Sequence, residues 1–66
     1  MDMVYLEEKM TESGLRKEYI AKQIGLSRFG LRDKMLNPKR WKVVEMTALI
    51  SLLKLSKADS KRIFNL

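Results

Sequence analysis

The sequence predicts an all-α fold, a compact bundle of about five short helices forming a single domain over residues 1–66. Three observations point that way. Apolar residues recur at helical spacing along the chain, and no segment sustains the alternation of a strand, although Lys42-Val43-Val44 is locally β-prone. The helical runs are short because Gly14, Gly25 and Asn37-Pro38 interrupt them. With one Pro, three Gly, no linker and no internal repeat, and with 45% hydrophobic residues, the chain is too apolar and too continuous for a disordered or multidomain protein.

Met3, Leu6 and Met10, at i, i+3 and i+7, outline a first helix that fades near Ser13 and Gly14. A second begins around Arg16, lines one face with Ile20, Ala21 and Ile24, and stops at Gly25, which suits the left-handed residue that ends many helices. Ser27 is placed to cap a third helix with Leu31 and Met35 facing inward, and Asn37-Pro38 closes it. After the basic loop Lys39-Arg40, Trp41 anchors a fourth helix whose inward stripe is Val43, Met46, Leu49, Ile50 and Leu53. Ser56 and Asp59 have the spacing of a capping box, with Asp in place of the usual Glu, and open a last helix towards Ile63 and Phe64. The terminal Ile63, Phe64 and Leu66 either close the core or offer a dimer patch. Most of the five Met residues read as adaptable core filler.

Charge separates the middle of the chain from its ends. The formal charge is +6, but residues 16–42 hold nine basic residues against Glu18 and Asp33, a net +7, which leaves −1 for the remainder. A field so concentrated points to a polyanion, most often nucleic acid, with an anionic membrane surface as the other candidate. The membrane reading suits a continuous amphipathic helix, which Gly25, Gly30 and Pro38 forbid here. The absence of Cys and His removes disulfides, thiolate metal sites and His-based catalysis, and the scattered acidic residues give an enzyme almost no foundation. No apolar run approaches the roughly 18 residues of a bilayer span and no basic leader opens the chain, so a soluble, unexported, cytoplasmic protein is expected.

The informative stretch is KEYIAKQIGLSRFGLRDKM, Lys17 to Met35. Ala21 must be small where the next helix crosses above it, Gly25 lets the chain reverse, and Ile20, Ile24, Leu26 and Leu31 form the wedge between the two helices. This is the physical content of a helix-turn-helix, here over about residues 17–36, whose second helix enters the major groove.

At these residues the chain resembles the lambda-repressor-like helix-turn-helix regulators, especially the short Cro-like proteins of phages and mobile elements in low-GC Gram-positive bacteria. The resemblance spans nearly the whole chain: Tyr19 to Ser27, Leu31, Lys34-Met35, Asn37, Lys39-Arg40-Trp41, Glu45, and Leu53 to Phe64. It implies a five-helix DNA-binding domain, a recognition helix from about Ser27 to Met35, and a symmetric dimer on a palindromic operator. By matching positions, Ser27, Arg28, Phe29, Arg32 and Asp33 would face DNA. Two departures stand out. Many members carry Gln at the positions of Lys17 and Arg28, so the usual bridge between those two side chains cannot be made here.

The residue chemistry suggests roles of its own. Arg28 and Arg32, four apart on one face, suit bidentate reading of guanine O6 and N7. Phe29 either meets a thymine methyl or tucks into the core or a dimer contact. Ser27 and the start of the third helix suit a phosphate. Lys17, Lys39 and Arg40 would flank the groove as phosphate contacts, with Lys22 and Lys42 as weaker candidates of the same kind. The expected function is a sequence-specific transcriptional regulator, a Cro-like repressor, with double-stranded DNA and a second copy of the chain as partners and with no cofactor or small-molecule substrate. The alternative is a protein-interaction module, an antirepressor or a small factor docking on another regulator, motivated by the apolar tail.

Overall fold

Asp2 starts the first helix by accepting the Tyr5 N–H on Oδ1 at 2.9 Å, and α1 (Met3–Ser13) then runs to Gly14, left-handed at φ 73°. The computed structural model describes residues 1–66 and continues with α2 (Lys17–Gln23), α3 (Arg28–Leu36), a 3-10 turn (Pro38–Arg40), α4 (Val43–Leu52) and α5 (Lys57–Phe64). There is no strand; the β-prone Lys42-Val43-Val44 opens a helix instead. No helix is long and apolar enough to cross a membrane. The five helices enclose one core within an envelope of 26 × 25 × 19 Å.

That core takes Leu6 and Met10 from α1, Ile20 and Ala21 from α2, Leu31 from α3, Met46 and Leu49 from α4, and Ile63 and Phe64 from α5. Trp41 is buried as the anchor ahead of α4: its ring meets Phe64 edge-on at 5.7 Å, and its Nε1–H points to Met3 Sδ at 3.4 Å. Ile63 and Phe64 thus close the core, while Leu66 stays 57% exposed.

The ends of the chain are tied together. The Asp2 N–H donates to the Ile63 carbonyl at 3.0 Å, and the Tyr5 hydroxyl donates to Asp59 at 2.6 Å. Arg62 lies 3.9 Å over the Tyr5 ring and bonds Asp2 through Nε at 3.1 Å. Asp59 also completes the capping box with Ser56.

One expected inward residue is not inward. Val43 is 69% exposed, and the inward position of the first turn of α4 belongs to Glu45, which is buried. The first turn of a helix has N–H groups without partners, and Glu45 accepts the Lys42 N–H at 2.9 Å, so a carboxylate takes the place helical spacing reserves for a valine. The stripe therefore starts at Met46 and continues through Leu49, with Ile50 and Leu53 half-buried.

These ties make folding acid-sensitive. The Tyr5 N–H and then Arg62 hold Asp2 below the ordinary 3.8, and the Tyr5 hydroxyl and the Ser56 N–H do the same for Asp59. A carboxylate whose pKa is depressed by folding stabilises the folded state fully above the unfolded value, and that contribution is lost as pH falls through the folded value. His, the side chain that titrates near neutrality, is absent. The melting temperature followed by circular dichroism is expected to be level across neutral pH and to fall below about pH 4. Asp59→Asn should flatten that fall, and a wild-type profile level down to pH 2 would refute the account.

Candidate nucleic-acid interface

α2 and α3 are joined by a turn that leaves little freedom. Gly25 is left-handed at φ 80°, the Leu26 N–H returns to the Ala21 carbonyl at 2.8 Å and the Gly25 N–H to Lys22 at 3.2 Å, the paired bonds of a Schellman ending. Ser27 then caps α3, its Oγ accepting the Gly30 N–H at 3.0 Å. Two helices of seven and nine residues are thereby held at a set angle over Ala21, which is fully buried.

α3 buries Leu31 and half-buries Lys34 and Met35, which leaves the opposite side free. Arg28, Phe29, Arg32 and Leu36 are exposed there, Phe29 at 82% and Leu36 at 69%. Phe29 is therefore not a core residue. Leu36 joins this face four residues beyond Arg32 and seven beyond Phe29, a spacing that could have nominated it from the sequence. Beside the face lies an open depression of about 460 Å³ between α1 and α3, floored by Met10 and Met35 and bordered by Lys17, Glu7, Arg28 and Arg32.

Three of the site cations have carboxylate partners within the chain. Lys17 pairs with Glu7, Arg28 Nη1 with Glu18 Oε1 at 3.0 Å, and Arg40 Nη1 with Asp33 Oδ2 at 3.0 Å. Exposed pairs of this kind contribute about 0–1 kcal/mol to stability. Glu18 thus ties the first turn of α2 to the start of α3. Asp33 is half-buried, and its carboxylate also accepts the Asn37 amide at 3.2 Å, so it fastens the basic turn to α3. Lys22, Lys39 and Lys42 are exposed but do not border the depression.

The position of the basic turn depends on two residues, Lys34 and Glu45, that the resemblance includes but to which sequence reasoning assigned no role. Lys34 Nζ donates to the Arg40 carbonyl at 2.6 Å and pairs with Glu45 Oε1 at 3.0 Å, the oxygen that also accepts the Lys42 N–H. Both side chains are nearly buried, at 12% and 9% exposure. Burial pushes the Glu45 carboxyl up, but the Lys42 N–H and the Lys34 ammonium outweigh it and hold it below the ordinary value. One clasp thus locks α3, the basic turn and α4. The available signal was the place of Lys34 in the α3 pattern, three residues beyond Leu31 on the inward side.

No three acidic residues converge as a metal site. What the surface supplies is a helix face carrying arginines and an exposed aromatic, with further cations beside it, an arrangement able to bind an anion and to read hydrogen-bond acceptors. No protein-family model, no curated protein and no solved structure matches the chain.

Proposed function

We propose that this chain is a sequence-specific DNA-binding transcriptional regulator of the Cro-like repressor type, in which α2 and α3 form a helix-turn-helix and α3 enters the major groove. The observation that carries the reading is the outer face of α3. Arg28, Phe29 and Arg32 have no role in the core, stand on a helix locked at both ends, and belong to the segment holding the entire charge excess. Arg28 and Arg32 read guanine edges and Phe29 packs on a thymine methyl. Ser27, whose Oγ accepts the Gly30 N–H, donates its hydroxyl to a phosphate of the duplex at the start of α3. Lys17, Lys22, Lys39, Arg40 and Lys42 neutralise phosphates, and Asp33 acts through Arg40, which it positions. A second copy occupies a second half-site about 34–36 Å along the duplex. The activity needs no cofactor and belongs in the cytoplasm with the DNA.

The rival reading, a protein-interaction module, draws on the apolar tail. That tail is largely spent on the core, since Ile63 and Phe64 are buried there and Leu66 alone remains exposed.

Selection of bound duplexes from a random pool at near-physiological salt tests the proposal. Enrichment of a palindrome is expected. Titrating the winning duplex against salt should give a slope of log affinity on log salt of roughly −4.5 per protomer, from about −0.9 for each of five phosphates. A pool without an enriched motif, or a slope near zero, would sink the proposal and favour the rival.

A further inference from the structure

We infer that Glu18 is a specificity-determining residue: by pairing with Arg28 it weakens that arginine's pull on phosphates and leaves its free donors suited to guanine. The inference rests on the DNA-binding reading above and adds to it a device for rejecting bulk DNA.

The geometry supplies the steps. Glu18 lies in the first turn of α2 and Arg28 opens α3, and the intervening turn brings Glu18 Oε1 to 3.0 Å from Arg28 Nη1. A guanidinium has five N–H donors in a planar fork, and this contact uses one on Nη1, leaving four. A fork still able to make two parallel bonds can meet guanine O6 and N7 while the carboxylate stays in place. The pair as a whole carries no net charge. Guanine acceptors are neutral and lose little from the nearby carboxylate, whereas the attraction of a phosphate for the arginine is weakened by it, as it is for the paired Lys17 and Arg40.

The surroundings agree. Arg28 borders the depression beside the outer face of α3, where a duplex would lie, and both partners are about two-thirds exposed, at 67% and 68% of their side chains, so DNA can reach the pair. Arg32, on the same face, has no carboxylate partner and keeps its full charge. The two arginines are therefore not equivalent: both read guanine, but Arg32 also attracts any duplex through its unpaired charge, and Arg28 does so less. Only two acidic residues, Glu18 and Asp33, lie within residues 16–42, and each is held on a cation of the site.

Glu18→Gln tests this, because it keeps the size and an acceptor for Arg28 but removes the charge. Affinities of wild type and variant are measured for the selected duplex and for a random-sequence duplex, each over a range of salt. The variant should bind random duplex about three- to tenfold more tightly, with a salt slope steeper by about 0.9 as Arg28 takes a phosphate. Its affinity for the selected duplex should change less than twofold, so discrimination falls. Glu8→Gln, the same charge change at an exposed α1 residue without an ion pair, is the control and should leave discrimination unchanged. If Glu18→Gln leaves discrimination intact, or if Glu8→Gln lowers it equally, the inference is overturned while the DNA reading stands. If wild type prefers no duplex at all, the DNA reading itself falls.

Discussion

The Arg28→Ala, Arg32→Ala double variant is expected to lose its preferred duplex while remaining folded. A good bidentate arginine–guanine contact is worth about 1–3 kcal/mol of discrimination, so removing two costs about 2–6 kcal/mol, or roughly thirtyfold to twenty-thousandfold in affinity for the selected site. Binding to random duplex should fall far less, because the phosphate contacts proposed for Lys17, Lys22, Lys39, Arg40 and Lys42 are untouched. Both arginines are exposed, and the only pair lost is that of Arg28 with Glu18, so the thermal transition should move by only a few degrees. Fluorescence anisotropy on the two duplexes, with a melting curve for each protein, decides the matter. A folded double variant that keeps full affinity for the selected duplex would end the assignment of α3 as the reading helix.

The second large effect concerns stability. Leu49 is fully buried at the centre of α4, and Leu49→Ala should cost about 2–5 kcal/mol, the transfer of the lost methyls plus the cavity they leave. A chain of this length has roughly 3–10 kcal/mol in total, so the variant should melt about 10–40 °C lower or be partly unfolded at 37 °C. Val43→Ala, from the same apolar stripe in the sequence, should shift stability by less than about 0.5 kcal/mol, because Val43 faces water. Equal losses at the two positions in thermal or urea unfolding would show that Val43 faces the core with Leu49.

The contrast between Leu49 and Val43 marks how far the sequence could be read. The apolar spacing located α4, but the side chain that turns inward at its first residues depends on where its unpaired N–H groups find acceptors. Only the fold brings Lys34 to within 3.0 Å of Glu45 and makes a buried carboxylate tolerable there. The turn after α4 was equally hidden. Lys54 takes the left-handed conformation at φ 53°, with no glycine to announce it, because the Leu55 N–H bonds the Ile50 carbonyl and Leu55 packs into the core.

The candidate site divides in the same way. The face with Arg28 and Arg32 was legible as a helical surface opposite Leu31 and Met35, but that Phe29 lies on it and not in the core was decided only by the fold. The pairing of Arg28 with Glu18, ten residues apart, was not, nor was the attachment of Asp33 to Arg40.

By itself the sequence determined the helical class, the stops at Gly14 and Gly25, the caps at Ser27 and Ser56, and the middle segment as the seat of the charge. Each of these depends on neighbours within a turn or two of the chain, or on composition alone. The tertiary structure decided which charges are solvated, which are paired and which are buried: Lys34 in the clasp, Arg28 beside Glu18, Arg32 without a carboxylate. Charge pairing acts through space and falls off within a few ångströms, so it was settled only when the chain closed and brought distant residues within reach.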